Sequence, residues 1–326
     1  MIKKVLILTT FALYAQEPHY YPIMIIGGGI AGLSAAIYAG NARIPTALCV
    51  GPCAGGQLAI AGIVENMPGV PAQHGQTIID QLETQAAIFG TQIISDSVVS
   101  ICTSGQPYRF LVTTQEGTLY ATDALVIATG AKPRTLGVPG EQEYWGLGVS
   151  TCAICDGPLA RNKDVVVIGG GDSAIEEALQ LAPYARHITI LLRSNGFRAS
   201  PRMQEKLADH THITYRYDVE VQEIVGDSHG MTGVKVYDKI TKECETISAQ
   251  GFFLAIGQEP ETECIRNLVN IDKYGYIVLY DRQKTSQEGV YAAGDVTNTR
   301  YRQAIVAAGD AAKAAMEAVA FLRGID

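Results

Sequence analysis

Two stretches of this chain share one hydrophobic pattern, in which a short apolar run ends in glycines and continues into a helix-like segment. The first stretch, 21–42, has the sequence YPIMIIGGGIAGLSAAIYAGNA. The second, 164–182, has the sequence DVVVIGGGDSAIEEALQLA. A continuous apolar run is typical of a strand buried on both faces, so each stretch predicts a strand, a tight turn and a helix.

The remaining pattern predicts the other elements of an α/β protein. Residues 75–89 are helix-like, and a long alanine-rich helix starts near 302–304 and continues to Leu322. Apolar runs at 124–130 and 251–257 each predict a strand that ends at a small-residue turn. Runs at 46–50 and 187–192 predict the next strand of each glycine-containing unit. Runs at 97–102, 108–114 and 118–122 predict a β-meander, and runs at 213–217, 219–225 and 232–238 predict a later group of strands.

The glycines of the first stretch have the spacing of a dinucleotide-binding loop. Gly27, Gly29 and Gly32 form G-x-G-x-x-G between the predicted strand and helix. Gly27 permits the turn, Gly29 lets a pyrophosphate approach the backbone, and Gly32 allows the helix to pack closely on the strand. The alternative is a plain glycine turn. The next strand ends at Val50 without an acidic residue for a ribose, so the identity of the nucleotide stays open.

The second stretch carries a variant of the same loop. Gly169, Gly171 and Ala174 form G-x-G-x-x-A, so the chain either binds two nucleotides or has lost one of the sites. Arg193 and Arg198 follow the next strand, where domains of this kind recognise a 2′-phosphate, and they favour NADPH over NADH. The alternative is that both arginines are solvated surface residues.

Cys152 and Cys155, in the sequence TCAICDG, precede the second glycine loop. Two cysteines separated by two residues close a small disulfide, and a helix that starts at such a motif lowers the thiol pKa. Asp156, directly beside them, is placed to supply or take a proton. Half of a zinc site has the same spacing, but no second C-x-x-C or C-x-x-H completes it. We therefore expect a redox pair and no metal site.

Composition and charge narrow the class of protein. The 326-residue chain is 47% hydrophobic and contains 34 glycines, which suits two globular α/β domains with many tight turns. Its formal net charge of -8 argues against general nucleic-acid or membrane-surface binding, because both need basic patches. Seven cysteines scattered along so long a chain do not resemble a secreted disulfide framework and indicate a reducing compartment.

The N-terminus has features of a secretory signal peptide. The basic start MIKK is followed by an apolar run from Val5 to Ala15 that is too short to span a bilayer. Residues 1–16 are therefore a possible signal peptide or an N-terminal extension, with an added first strand or an upstream start as the alternatives. We expect a cytoplasmic location, because the cofactor chemistry requires a supply of reduced pyridine nucleotide.

The order of these motifs resembles that of one family, the low-molecular-weight, bacterial-type thioredoxin reductases of the class II pyridine nucleotide-disulfide oxidoreductases. The resemblance starts near Pro22 and covers nearly all of the chain from there. It is carried by the first glycine loop, GGQL, VENMPG, ATG, CAICD, the second glycine loop, GFR, AIG, and AAGDV followed by RQA.

The resemblance implies an α/β fold of two Rossmann-like, three-layer ββα dinucleotide-binding domains, the second inserted into the first. The FAD-binding domain would comprise 17–131 and 261–326. The NADPH-binding domain, 132–260, would carry the dithiol, and Lys132, Pro133 and Arg134 would form the linker.

The resemblance also implies which residues contact each cofactor. FAD contacts fall on Gly27, Gly29, Gly32, Gln57, Asn66, Thr129, Gly130, Gly294, Asp295, Arg302, Gln303 and Ala304. NADPH contacts fall on Gly169, Gly171, Ser173, Ala174, Arg193 and Arg198.

The implied chemistry is a relay in which NADPH reduces FAD, FAD reduces the Cys152–Cys155 disulfide, and the dithiol reduces thioredoxin or a thioredoxin-like protein. Cys155 would lie nearest the flavin, Cys152 would attack the partner disulfide, and Asp156 would be the general acid and base. The NADPH domain would rotate, because nicotinamide and dithiol must take turns beside one flavin. A homodimer is expected, with no nucleic-acid or membrane partner.

Two departures from the family pattern affect these expectations. Leu192 and Ser194 replace a histidine and an arginine of the family's H-R-R-x-x-x-R, which lowers the preference for NADPH over NADH. Leu147 stands where family members often carry a basic residue, which makes the docking surface more apolar. An alternative function is a related flavoprotein that oxidises small dithiols or uses a donor other than NADPH. A flavin-bound interaction module or redox sensor is disfavoured, because the dithiol, the acid and both glycine loops are intact.

Overall fold

The computed structural model describes residues 17–61 and 63–325. The possible signal peptide at residues 1–16 lies outside the described residues. Among the described residues, no helix combines the length and the apolar composition that crossing a bilayer requires.

The helices and strands are numbered in chain order. The α-helices are α1 (Ile30–Asn41), α2 (Gly56–Ala59), α3 (Gly75–Ile88), α4 (Ala153–Asp156), α5 (Asp172–Leu181), α6 (Pro201–Glu205) and α7 (Ala304–Leu322). The strands are β1 (His19–Tyr20), β2 (Ile23–Ile26), β3 (Thr46–Cys49), β4 (Ile63–Val64), β5 (Gln73–His74), β6 (Gln92–Ile94), β7 (Val98–Thr103), β8 (Phe110–Thr114), β9 (Leu119–Thr122), β10 (Ala124–Ile127), β11 (Ala131–Pro133), β12 (Val149–Ser150), β13 (Asp164–Ile168), β14 (His187–Leu191), β15 (Ile213–Arg216), β16 (Val219–Asp227), β17 (Gly230–Asp238), β18 (Cys244–Ser248), β19 (Gly251–Leu254), β20 (Gln258–Pro260) and β21 (Val290–Ala292). Short 3₁₀ helices lie at Gly157–Ala160, Glu263–Ile265, Asp281–Gln283 and Gly294–Val296.

The first parallel sheet has the strand order β21-β10-β2-β3-β6 and is covered on both faces. Successive side chains of β2 point to opposite faces, as in any strand. Ile23 and Ile25 pack with α1 and α7, whereas Met24 and Ile26 pack towards the β7–β9 meander. All four side chains are fully or almost fully buried. Burial on both faces explains why the sequence of β2 is apolar without alternation.

The second parallel sheet, β12-β19-β13-β14-β15, repeats this arrangement. Val165 and Val167 of β13 pack with α5 and α6, and Val166 and Ile168 pack towards the antiparallel sheet β16-β17-β18. Each unit therefore consists of helices, a parallel sheet and an antiparallel sheet in three layers. The predicted fold class is confirmed.

The chain passes between the two units along one antiparallel ladder. β11 follows β10 and pairs with β20, with Ala131 opposite Pro260 and Pro133 opposite Gln258. Because β10 and β21 are neighbours in the first sheet, the second unit is an insertion into the first. We call 17–131 with 261–325 the first module and 132–260 the second module. That these bounds delimit the FAD and NADPH domains stays a prediction.

Most predicted elements are present with small shifts at their ends. The predicted linker differs most, since part of it forms β11 instead of an unpaired segment. The physical reason is that two crossing segments lie side by side, and pairing satisfies the N–H and C=O groups of both backbones. The hairpin of β16 and β17 is also longer than predicted, because its turn is only two residues long and β17 already starts at Gly230.

Candidate active site

The two cysteines of the C-x-x-C motif form a disulfide at the start of α4, with their Cα atoms 5.3 Å apart. Cys152 is the N-cap residue of α4, and its Sγ accepts a hydrogen bond from the backbone N–H of Cys155 at 3.2 Å. The motif thus opens a helix. Cys155 is exposed and Cys152 is half-buried. Within residues 17–61 and 63–325, no three His, Cys, Asp or Glu side chains are grouped so that they would hold a metal ion.

Asp156 is the last residue of α4 and lies half-buried beside the disulfide. Its backbone N–H donates to the carbonyl of Cys152 at 3.0 Å, which fixes the backbone of Asp156 relative to the dithiol loop. Asp156 also lines a cavity of about 450 Å3 together with apolar side chains that include Leu147, Leu159 and Phe253. Asp156 therefore lies between the disulfide loop and this cavity.

Glu177, which sequence analysis did not single out, is a second carboxylate at the disulfide. It lies on α5, and its Oε2 accepts the backbone N–H of Ala153 at 2.5 Å. Burial, with the charges of Glu176 and Asp156, raises the pKa of the Glu177 carboxyl to about 7, while the hydrogen bond from Ala153 lowers it. The sequence contained one signal for this position. Glu177 occupies the same face of α5 as the buried Ala174 and Leu181, which indicates a carboxylate turned towards the core.

The first glycine loop has the geometry that close packing requires. Gly27 has φ +117, and a Cβ there would collide with the carbonyl oxygen of Ala128. A Cβ on Gly32 would collide with the carbonyl oxygen of Gly27, so α1 approaches β2 only because residue 32 is glycine. A Cβ on Gly29 would meet nothing nearer than 3.8 Å, which leaves the N-terminus of α1 open. An anion is favoured at such a helix start.

Several other predicted FAD residues lie near this loop or near each other. Gly55 donates its N–H to the carbonyl of Gly28 at 2.8 Å, which brings the segment before Gln57 of α2 against the loop. Gly294, with φ +76, lies against Ala31 of α1. Asn66 Nδ2 donates to Gln303 Oε1 at 3.3 Å. Gln303 is in turn the N-cap residue of α7, so Ala304 is the first residue of that helix.

Thr129 and Gly130 lie instead at the crossing between the modules. The Thr129 hydroxyl donates to the carbonyl of Glu261 at 2.5 Å, and the carbonyl of Gly130 accepts the N–H of Glu261 at 3.0 Å. The hydroxyl of Thr129 therefore already has a partner within the protein. Gly130 has φ +76 and open space around its Cα, which suits a turn from β10 into β11.

Asp295 and Arg302 are the charged members of the predicted FAD set. Burial raises the pKa of the half-buried Asp295 carboxyl, and the guanidinium of Arg302 opposes that rise. Arg302 Nε is buried without a hydrogen-bond partner among the described residues. A buried polar atom of this kind is normally satisfied by a ligand or water. The open helix start and the unsatisfied Arg302 Nε both fit a bound dinucleotide.

The second glycine loop repeats the geometry of the first. Gly169 has φ +150, and a Cβ there would collide with the carbonyl oxygen of Ala255. Gly171 is the N-cap residue of α5 and has open space around it. Ser173 is exposed on the first turn of α5, whereas Ala174 is fully buried beneath it. The loop therefore fits a second nucleotide.

The two predicted phosphate-binding arginines lie on a segment attached to that loop. The N–H of Arg198 donates to the carbonyl of Gly170 at 2.7 Å. Arg193 and Arg198 are exposed, and neither forms an ion pair with any described residue. Leu192 is buried in the core, and Ser194 Oγ donates to the carbonyl of Gly196 at 3.1 Å. The guanidinium groups are thus free to bind an anion beside the loop, and the two replaced positions contribute no further cation.

Comparison with known proteins places these features in a family context. The family model described as pyridine nucleotide-disulphide oxidoreductase matches residues 21–311. A thioredoxin reductase of Neurospora crassa is 42% identical over 310 residues, which are 92% of this chain and 93% of that protein. The structure of a thioredoxin reductase from Giardia duodenalis superposes with a TM-score of 0.88 at 39% identity, over 94% of this chain and 99% of the other. The thioredoxin reductase of Streptococcus pyogenes gives the same TM-score at 34% identity and the same coverage of both chains.

Proposed function

Because this chain belongs to the pyridine nucleotide-disulphide oxidoreductases, and among them to the thioredoxin reductases, we propose that it uses NADPH and FAD to reduce thioredoxin or a similar small protein. The observation that carries this proposal is the Cys152–Cys155 disulfide at the start of α4, on an inserted module that also holds the second glycine loop. FAD and NADPH are the cofactors of this family.

The first module would hold FAD. Gly29 at the start of α1 leaves room for the pyrophosphate, Asp295 offers a carboxylate to sugar or ribityl hydroxyls, and Arg302 has a buried donor without a partner. Gln303 and Asn66 support each other beside them. Bound FAD supplies an acceptor for the hydride of NADPH and a two-electron donor for the disulfide.

The reduced dithiol would then act on a partner disulfide by thiol–disulfide exchange. The Cys152 thiolate attacks one partner sulfur, the partner S–S bond breaks, and the other partner sulfur leaves and takes a proton from Asp156. Asp156, now deprotonated, takes the proton of the Cys155 thiol, and the Cys155 sulfur attacks Cys152 Sγ in the mixed disulfide. The bond between Cys152 and the partner breaks, and the second partner sulfur leaves and takes that proton from Asp156. The Cys152–Cys155 bond forms again, so the partner gains two electrons and two protons. The N-terminus of α4 favours the Cys152 thiolate that this sequence requires.

The surface around the disulfide supports a protein partner. Leu147, Ile154 and Leu159 are 55%, 49% and 66% exposed, and Leu147 and Leu159 line the cavity that Asp156 also borders. Large apolar side chains that stay exposed beside a reactive group are typical of a docking surface. With Leu147 in place of a basic residue, this surface would bind its partner through apolar contacts more than through charge.

Two measurements test the function. NADPH added anaerobically to the FAD-loaded protein should bleach the flavin absorbance, and oxidised thioredoxin added next should restore it as thioredoxin thiols appear. Cys152→Ser should abolish thiol formation because the attacking sulfur is gone. Cys244→Ser, at an exposed free thiol outside the site, is the matched control and should keep wild-type turnover. Wild-type turnover by Cys152→Ser, or a flavin that neither NADPH nor NADH bleaches, would contradict the proposal.

The choice of NADPH would rest on Arg193 and Arg198. Each charge-assisted hydrogen bond to a 2′-phosphate is worth roughly 1.5–3 kcal/mol, so Arg193→Ala and Arg198→Ala should each raise the KM for NADPH about 10-fold or more. The KM for NADH should change less than about 2-fold, since NADH lacks that phosphate. Arg202→Ala, at an exposed arginine on α6, is the control. Equal effects on both nucleotides would show that the arginines bind something other than the 2′-phosphate.

Ser194 favours a second candidate function. Its hydroxyl is used within its own loop, and Leu192 is buried, so the phosphate site has two cations where the family pattern provides more. A related flavoprotein that takes electrons from another donor, or that oxidises small dithiols, would need no stronger site. Flavin reduction by NADH as fast as by NADPH, together with inactivity towards thioredoxin, would favour this candidate.

The protein would act as a cytoplasmic homodimer. Tyr38, Met316 and Ile325 are exposed along a groove of about 270 Å3 between α1 and the end of α7. Burial of this apolar surface against a second copy would support the assembly. Light scattering of the purified protein at micromolar concentration would give the mass of a dimer, and a monomer mass would exclude it.

A further inference from the structure

Glu177 connects the nucleotide-binding helix to the redox disulfide. α5 starts at the second glycine loop, and Glu177 is the sixth residue of this helix. The carboxylate accepts the backbone N–H of Ala153, the first residue of α4 and the one that follows Cys152. The carboxylate therefore holds the Cys152–Ala153 peptide group, next to the redox sulfur of Cys152.

The donors at the start of α4 are divided between the sulfur and this carboxylate. A helix offers its first N–H groups to an N-terminal acceptor, and a thiolate there is stabilised by them. Here the N–H of Cys155 is donated to Cys152 Sγ, whereas the N–H of Ala153 is donated to Glu177. These two neighbouring N–H groups thus bind two groups that can each carry a negative charge.

Other charges around Glu177 add to this competition. Asp156 on α4 and Glu176 on α5 act on the carboxyl and favour its neutral form. Glu176 is itself paired with Arg300 at 3.9 Å. The remaining elements packed against α5 are β13, β14, α6 and the 3₁₀ helix Gly157–Ala160, whose titratable or charged residues are Asp164, His187, Arg202 and Glu205.

We infer that Glu177 is a positioning residue of the redox pair, which orients the Cys152–Ala153 peptide and, through its negative charge, opposes formation of the Cys152 thiolate. In the reduced protein, ionisation of the carboxyl and ionisation of the thiol disfavour each other, so the two groups titrate as a coupled pair. In the disulfide form, burial already raises the pKa of the Glu177 carboxyl to about 7, so its charge changes near neutral pH.

This inference deepens the proposed function and rests on it only for the role of the dithiol. Its test uses the FAD-loaded protein reduced with dithiothreitol, with neither NADPH nor thioredoxin present. The readout is the rate at which iodoacetamide alkylates Cys152, measured by mass spectrometry across the pH range 5 to 10. A failure of NADPH or thioredoxin as substrate would leave this measurement unaffected, so the two ideas fail separately.

The central variant is Glu177→Gln, which keeps an acceptor for Ala153 but removes the charge. Removal of a like charge within about 4–6 Å lowers a thiol pKa, so the alkylation midpoint of Cys152 should move down by about one pH unit. Glu176→Gln, which removes an exposed charge one residue away, is the matched control and should produce only a small part of that shift. Glu177→Ala, which also removes the acceptor, should in addition slow reoxidation to the Cys152–Cys155 disulfide.

A purely structural role for Glu177 predicts a different result. The alkylation profile of folded Glu177→Gln would then superimpose on that of the wild type, and this outcome would overturn the inference. If Glu177→Gln does not fold, the wild-type profile decides. A coupled carboxyl gives two inflections in the alkylation rate of Cys152, one of them near pH 7, and a single inflection would overturn the inference.

Discussion

Asp156 and Glu177 are two carboxyl groups beside one disulfide, and their surroundings give them different tasks. Asp156 borders a cavity next to the exposed part of the dithiol loop, where we propose that it exchanges a proton with the partner. Glu177 faces inward from α5 and holds a backbone N–H of α4. The two carboxyl groups therefore differ in role, because Asp156 borders the cavity whereas Glu177 accepts a backbone hydrogen bond.

Glu141, which lies outside the site, is another carboxyl group whose role is set by burial and hydrogen bonding. Its side chain is 4% exposed and accepts the N–H groups of Leu136 and Gly137, the latter at 2.7 Å. Glu141→Ala would leave those donors unpaired and should lower the free energy of unfolding by about 2–3 kcal/mol. Urea unfolding gives the measurement, and Glu143→Ala, at the exposed neighbouring glutamate, is the control. Equal unfolding midpoints for both variants would show that Glu141 contributes no more than a surface residue.

At the scale of elements, the recurring unit is a buried strand, a glycine turn and a helix whose N-terminus is open. Gly27 and Gly169 occupy equivalent positions, since each has a positive φ and lies against a backbone carbonyl of the neighbouring strand's end. Gly29 and Gly171 also correspond, since each is the N-cap residue of the following helix and has space around it. In each loop, the first of these two glycines is needed for packing, and the second leaves room for a ligand.

This division of roles predicts opposite outcomes for two alanine substitutions. Gly27→Ala should destabilise the fold by at least about 2 kcal/mol, because the Cβ would collide with Ala128 and the φ of +117 is strained for alanine. Gly29→Ala should leave the unfolding midpoint near that of the wild type but reduce the FAD retained on purification, since the added methyl group faces the pyrophosphate position. The ratio of flavin to protein absorbance and a thermal melt measure the two effects. Full FAD content in Gly29→Ala would argue against this loop as the FAD site.

At the scale of the whole molecule, the contacts between the two modules include one short ladder and two exposed ion pairs, one of them between Lys132 and Glu261 at 2.6 Å. The backbone crosses along β11 and β20, and Arg300 of the first module pairs with Glu176 of the second at 3.9 Å. Both side chains of this ion pair are well exposed, 77% and 48%, so the pair contributes little to stability. Exposed contacts of this kind can break at little cost in free energy, as rotation of the second module during turnover would require.

The Arg300–Glu176 pair should affect rate more than stability. If turnover requires the modules to leave this arrangement, Arg300→Ala removes about 0.5 kcal/mol of resistance and should raise kcat about two-fold at low salt, with the difference lost at high salt. The unfolding midpoint should not change. Arg266→Ala, which breaks an exposed ion pair with Glu263 inside one module, is the matched control and should leave kcat unchanged. An unaltered kcat for Arg300→Ala at low salt would mean that the pair does not restrain the motion.

The sequence by itself determined the features that depend on neighbouring residues. The strand–glycine–helix units and the long α7 were predictable, because apolar spacing and glycine turns act over a few residues. The order of motifs also identified the family, and with it the insertion of one module into the other.

The tertiary structure alone decided which distant residues meet. The contact of Asn66 with Gln303, the pairing of β11 with β20, and the approach of Glu177 to Ala153 join segments separated by tens to hundreds of residues. Local propensity contains no term for such contacts, since they arise when two sheets and their helices pack and close the chain between them. The chemistry at the dithiol follows from that packing, because α5 places a carboxylate at the start of α4.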